Sequence, residues 1–319
     1  MHIGVNFGFG RFDTSISEYD VVKNETRLAV LSEQLGYDSV WATEHHFTDY
    51  SFMPDNLQWL SYVAAKTERI KLGTGAVILP WNDPLRVAEK LLLLDNLSDG
   101  RAIFGMGRGV ARIEFEGLRI PVGESRERMD EAIPMIVEAL ETGFIEGPGP
   151  HYNQPRRQLK PGPIGSFSDR TYTVAGSEDS IIAAVKNRVR LMSFILRPVD
   201  KLVETFDVYN NLWRETWDDE PMPICINVNM YCHEDGAVAH ARMYEYLGNF
   251  WKQNVDHYEF LGNHFATQKG YERYAEKAAA LREKGVEQAG RDYADAALSG
   301  TPDEMIEKLA WIHGIMGQY

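Results

Sequence analysis

Cysteine is nearly absent: Cys225 and Cys232 are the only two in 319 residues. A disulfide framework needs more, so both read as reduced core or surface thiols, and the fold must stand on burial. Positive charge is also short. Lys and Arg total 33 against 47 Asp and Glu, a net charge of −14, which argues against nucleic acid and anionic membrane as partners. A small anion held at one local cation remains compatible with that balance. No apolar run reaches the roughly 18 residues that a membrane span needs. The opening MHIGVNFGFGRF has no basic stretch followed by an apolar core, so no secretory signal is expected and the expected location is cytoplasmic. Internal repeats and low-complexity tracts are missing as well.

Hydrophobic residues make up 44% and charged residues 25%, enough apolar material for a large core. Short β-type runs, at residues 3–7, 38–42, 70–78, 102–106, 171–175, 191–196 and 224–231, alternate with segments of helical period. Leu28, Leu31 and Leu35 repeat before Gly36, a helix stop, and Leu57, Leu60 and Ala64 repeat in the same way. Val87, Leu91 and Leu94 follow, then Met129, Ile133, Ile136 and Leu140. Repeated βα units predict a parallel sheet covered by helices. Strands keep coming without a domain-sized break, which favours a single α/β domain over residues 1–319, a TIM (β/α)8 barrel with insertions. Seven units can be counted. A helix over 302–315 would lead to an eighth strand near Gly317, so the last strand and helix are expected to be missing at the C-terminus. Residues 143–170, rich in Gly and Pro, predict an irregular insertion. Residues 244–299 form a long aromatic and charged excursion, either a lid over substrate or a packed helical hairpin with no part in binding.

Catalytic side chains in β/α proteins gather where strands end. The predicted strand 38–42 runs into Glu44, His45 and His46. Adjacent residues on an extended backbone point to opposite faces, so at most one His faces a given pocket. That one suits acid/base work. Glu44, His45 and His46 together could suggest a metal site, but adjacent histidines do not easily reach one ion and no further His sits at ligand spacing, so no metal site is expected. Gly73-Thr74-Gly75-Ala76 reads either as a β-bulge or as small residues that let a flat ligand approach the backbone. Phe104-Gly105-Met106-Gly107-Arg108-Gly109 lacks the G-x-G-x-x-G spacing of a dinucleotide loop, but Arg108 is a cation at a strand end. Arg101, one turn earlier, reads as a surface or salt-bridge residue. Gly176, Ser177 and Ser180 open a predicted helix at Ile181, where N–H groups and hydroxyls can seat a phosphate. With Arg108 they read as a monophosphate site, and FMN is the natural phosphorylated cofactor.

Several collinear segments resemble the bacterial luciferase family of flavin-dependent monooxygenases: WATEHHFT at 41–48, LLLLDNLSDGRAIFGMGRG at 91–109, then Glu124-Ser125-Arg126, Leu140-Glu141-Thr142-Gly143 and Gly300-Thr301-Pro302-Asp303-Glu304. The resemblance runs from Met1 to about Leu309. It implies a TIM barrel that takes reduced FMN (FMNH2) from a separate flavin reductase and uses O2, through a flavin 4a-hydroperoxide, to oxygenate a small, apolar organic substrate. His45 falls on the family's acid/base position, with His46 as its structural neighbour. Arg108, Ser177 and Ser180 fall on phosphate-binding positions, and Gly75 and Ala76 where the family places a non-proline cis peptide under the flavin ring. Gly107 stands in place of a reactive cysteine, Gly176 in place of an acidic residue, and Arg188 in place of a glycine. The resemblance also implies a homodimer paired through barrel helices. Its rivals are a deazaflavin (F420)-dependent oxidoreductase and a non-catalytic flavin-binding protein of the same fold.

Overall fold

The computed structural model describes residues 1–195, 199–268 and 270–319, and these divide into two compact units. The first comprises Met1–Ala175 with Ala183–Arg190, the second Gly176–Ile182 with Leu191–Tyr319.

The first unit opens with β1 (Gly4–Phe7), α1 (Glu18–Gln34), β2 (Ser39–Ala42), α2 (Asn56–Ala64), β3 (Lys71–Thr74) and β4 (Val77–Ile78). It continues with α3 (Pro84–Leu97), β5 (Ala102–Gly107), α4 (Arg112–Gly117), α5 (Ser125–Thr142), β6 (Phe144–Pro148), β7 (Asn153–Gln158) and β8 (Thr171–Val174). Strands β1, β2, β3, β5 and β8 are neighbours in that order, with β4 also on β5, and every pair is parallel. This is the parallel βα alternation of the TIM-barrel class. Helix starts follow local chemistry: Ser17 accepts from the Asp20 N–H at α1, Asp55 from that of Gln58 at α2, and Asp83 caps α3 just before Pro84. Val40, Leu60, Leu72, Leu91, Phe104 and Ile136 are wholly buried between strands and helices; each such side chain contributes about 1.5–3 kcal/mol of transfer free energy.

Two joints hold the α3–β5 turn. Asp95, completely buried, accepts from Arg170 Nη1 at 2.5 Å and Nη2 at 2.9 Å and from the Ala102 N–H at 3.2 Å. Arg101 is a buried residue, not the surface or salt-bridge residue expected. Its guanidinium donates to the carbonyls of Ala64, Thr67, Ile70 and Ser98 and to Thr67 Oγ1, closing the carbonyl end of α2 with neutral acceptors. The segment 143–170, expected to be irregular, contains an antiparallel hairpin of β6 and β7 with a register shift between Ile145 and Gly147. Its Pro and Gly residues hide the strand pattern, because the hairpin is largely exposed and carries no apolar alternation.

Helix α6 (Glu178–Lys186) is shared between the units, and β9 (Arg190–Phe194) follows it; the expected strand end at Leu196 lies outside the described residues. The second unit goes on with α7 (Val203–Trp217), β10 (Cys225–Asn227), β11 (Met230–Cys232), α8 (Gly236–His257), α9 (Glu272–Lys284), α10 (Val286–Asp295), β12 (Leu298–Gly300) and α11 (Pro302–Met316). The single strand expected over 224–231 is two: β10 pairs with β9, and β11 pairs with β12, both parallel. A further short strand, paired only with β11 among the described residues, precedes the last helix. Leu298–Gly300 is β12, Thr301 and Glu304 form a capping box at the start of α11, and the Gly317 N–H closes that helix on His313. Met243, Leu247, Tyr293 and Ala294 form a small core, and Phe260, Phe265, Tyr271 and Tyr274 pack ring on ring. Among the described residues no helix is long and apolar enough to cross a membrane.

Candidate functional site

Beyond Ala42 the chain leaves β2 but stays tied to its neighbours: the Thr43 N–H donates to Phe7 and the His45 N–H to Met53. The two histidines then diverge. His45 Nδ1 lies 3.0 Å from Glu114 Oε1, and its ring meets Tyr50 edge-on. His46 Nε2 lies 3.6 Å from Glu44 Oε1, and its ring meets Trp81. Glu44, weighed as a metal ligand at the level of sequence, is buried and accepts from the Ile78 N–H at 2.7 Å and from Asn82 Nδ2 at 2.9 Å. It fixes the course of the chain after β4, and those donors satisfy a carboxylate well.

At the end of β3 the Gly75–Ala76 peptide is cis. The buried Asn56 side chain donates to the carbonyls of both Ala42 and Ala76, and the Gly75 N–H donates to Ala42 at 2.7 Å. A Cβ on Gly75 would meet nothing closer than 3.6 Å, whereas one on Gly73 would stand 2.5 Å from the Trp41 ring. Gly73 therefore makes room for a tryptophan, whereas a Cβ on Gly75 would meet only ordinary contacts.

At the end of β5, Gly107 is also constrained: a Cβ there would lie 3.1 Å from Ile78 Cδ1 and 3.4 Å from Ala76. Arg108 follows, half-buried, and Gly109 turns the chain at φ +78°. A Cβ on Gly109 would strike Ile78 and Trp81 at 2.8 Å, so the turn requires glycine on two counts. Asp130 of α5 lies within the electrostatic reach of Arg108. Burial pushes its carboxyl up from the usual range, against the pull of Arg126 and Arg108.

In the second unit, Gly176 is exposed, and the Ser177 and Ser180 hydroxyls lie 2.8 Å apart at the first turn of α6. The Ser177 carbonyl takes the N–H groups of Ser180 and Ile181. The two hydroxyls share one hydrogen bond, in which either can donate, at a helix N-terminus.

Within the first unit, the structure brings His45, Gly75, Ala76 and Arg108 to the C-terminal ends of three neighbouring parallel strands. Sequence reasoning missed Glu114, Asn56 and Asp130. Glu114 left one trace: it shares a helical face with the buried Ala111 and Phe115, and a carboxylate on an apolar face calls for a partner.

The alkanal monooxygenase alpha chain of Photobacterium leiognathi is 28% identical over 298 residues, covering 91% of this chain and 83% of that one. The oxygenating constituent of 3,6-diketocamphane monooxygenase from Pseudomonas putida, solved in complex with FMN, covers 100% of this chain and 90% of its own at 17% identity and a TM-score of 0.71. An F420-dependent secondary alcohol dehydrogenase covers 99% and 91% at 15% identity and a TM-score of 0.72. These two likenesses show the fold, an α/β chain of the TIM-barrel type. The family model for luciferase-like monooxygenases matches residues 1–318, and the chain belongs to that family.

Proposed function

We propose that this chain is a monooxygenase that takes reduced FMN from a separate flavin reductase and, with O2, oxygenates a small apolar organic molecule, working as a homodimer. The observation that carries the reading is the convergence of His45, the Gly75–Ala76 step and Arg108 on adjacent strand ends of the first unit. Those groups suit a planar ring bearing a phosphate: bare backbone for the ring face, a guanidinium for the phosphate, and an imidazole beside them. In the second unit, the hydroxyl pair of Ser177 and Ser180 beside the exposed Gly176 is itself of a kind that suits a phosphate.

When bound, reduced FMN supplies the two electrons that let one atom of O2 enter the substrate while the other leaves as water. The protein's part is binding, orientation and proton handling. Arg108 holds the phosphate by charge-assisted hydrogen bonds. Asn56 and Glu44 fix the backbone on which the ring rests. His45 accepts and returns a proton beside it.

A deazaflavin-dependent oxidoreductase is the second reading, favoured by the fold neighbour that acts with F420. His45→Ala separates an acid/base role from a binding role. It is expected to slow single-turnover reoxidation of bound FMNH2 or product formation by about 100-fold while flavin affinity stays within about threefold. Loss of affinity with unchanged chemistry in the bound fraction would overturn the assignment.

A further inference from the structure

We propose that Glu114 is the positioning residue of His45: it fixes the ring's hydrogen on Nδ1 and thereby makes Nε2 the nitrogen that exchanges a proton with a bound ligand. The inference rests on the acid/base reading of His45 and adds to it a second residue, on a different element.

Glu114 is wholly buried on α4, where a carboxylate is costly unless donors meet it. Two donors converge on one of its oxygens. The His46 backbone N–H, which can only donate, lies 2.8 Å from Oε1, and His45 Nδ1 lies 3.0 Å from the same atom. An ionised carboxylate offers only acceptors, so Nδ1 carries the hydrogen and Nε2 the lone pair. The same carboxylate stabilises the ring once Nε2 is protonated, as the aspartate does in a hydrolytic triad. The Tyr50 edge contact, with ring centres 5.2 Å apart, packs against the ring, and the 3.1 Å bond from the His45 N–H to the Met53 carbonyl fixes the backbone that carries it.

The neighbouring histidine decides the direction of the assignment. Each His has its own buried carboxylate, but through different nitrogens. On His46 the distal Nε2 faces Glu44, at 3.6 Å. On His45 the proximal Nδ1 faces Glu114, which assigns the proton exchange to the distal nitrogen. Glu114 also stands six residues after Arg108 on one continuous segment. The segment that carries Arg108 thus leads directly into the helix that carries Glu114.

The test uses full-length protein with nitrogen-15 histidine, comparing wild type, Glu114→Leu, Glu114→Gln and Glu114→Asp, with His45→Ala to assign the signal. Without any ligand, His45 is expected to show the Nδ1–H form in wild type and Glu114→Asp, and a mixture of both tautomers in Glu114→Leu. Single-turnover reoxidation of FMNH2 by O2 is then expected to change at least about fivefold in Glu114→Leu, in the direction set by His45→Ala. Glu114→Asp should restore it, and flavin affinity should stay within about threefold in each variant. If Glu114→Leu fails to fold, Glu114→Gln, which keeps an acceptor without the charge, should retain the tautomer and lose part of the rate effect. An unchanged tautomer in Glu114→Leu, or a rate that falls only in step with flavin affinity, would overturn the proposal. A shifted tautomer together with a fully active His45→Ala would instead retain Glu114 as the group that orients the ring and remove the acid/base reading.

Discussion

Trp41 on β2 and Gly73 on β3 are register partners, packed so closely that a Cβ on the glycine would lie 2.5 Å from the indole. Tyr172 of β8 meets the same indole edge-on at 5.6 Å, and Ser39 accepts its N–H. One large ring fills this layer because its strand neighbour gives up a side chain, as close packing of strand interiors demands. Gly73→Ala is therefore expected to destabilise the protein by about 1–3 kcal/mol through overpacking. Denaturant unfolding measures it; Gly75→Ala, whose Cβ would meet ordinary contacts, is the control.

Asp95 has no solvent and three donors. Asp95→Ala leaves the Arg170 guanidinium without its bidentate partner and the Ala102 N–H without its acceptor. The expected loss of stability is about 3–5 kcal/mol, the usual result of breaking a buried pair by removing one member. The midpoint of chemical unfolding should fall accordingly, with an unchanged denaturant slope.

Two carboxylates of α1 should give opposite pH responses. Burial pushes Glu25 up, although it accepts from the N–H groups of Phe9 and Gly8. Its folded form favours the proton, so its contribution is complete at acid pH and is lost as pH rises from the usual carboxyl range through the raised value. At Glu33 burial works upward as well, but the N–H groups of Ile70, Arg69 and Glu68 outweigh it and hold the carboxyl below its usual value. That contribution is present above the usual range and is lost as pH falls through the lowered value. Unfolding free energies of Glu25→Gln and Glu33→Gln, each subtracted from wild type across acid pH, should therefore slope in opposite directions.

Arg108 is assigned to a phosphate, not to a ring. Arg108→Ala should weaken FMN by about 10- to 100-fold, the worth of a charged hydrogen bond, and leave riboflavin within about threefold. Parallel titrations with the two flavins measure the difference; equal losses for both would place Arg108 elsewhere in the pocket.

Much of this was legible before any coordinates. Strand and helix periods located β1, β2, β3, β5 and β8 and the helices α2, α3 and α5, because buried faces repeat at fixed spacing. At α1 the expected Leu28 and Leu35 are exposed, and Val21, Thr26, Ala29 and Ser32 are buried instead. The same logic pointed to His45, Gly75, Ala76, Arg108, Ser177 and Ser180 as strand-end or helix-start residues. What escaped was either short or distant. Strand β12 has three residues, two of them Ser and Gly, too few to show a period. Glu114 reads as one more acid in ARIEFEG, because the partner that explains its burial lies 69 positions away. Gly73-Thr74-Gly75-Ala76 reads equally as a β-bulge or as a ligand platform, since nothing local reveals that the Trp41 indole needs the space at Gly73. Glu44 likewise reads as a possible ligand until Ile78 and Asn82 are seen to donate to it.

The central claim is that this chain binds reduced FMN for oxygen chemistry. Anaerobic equilibrium titration of the full-length protein with FMNH2, and in parallel with reduced F420, tests it most directly. The expected result is saturable FMNH2 binding at micromolar or tighter dissociation constants, about −8 kcal/mol or better, with F420 at least about tenfold weaker. Tighter binding of F420, or no saturable binding of FMNH2, would contradict the account.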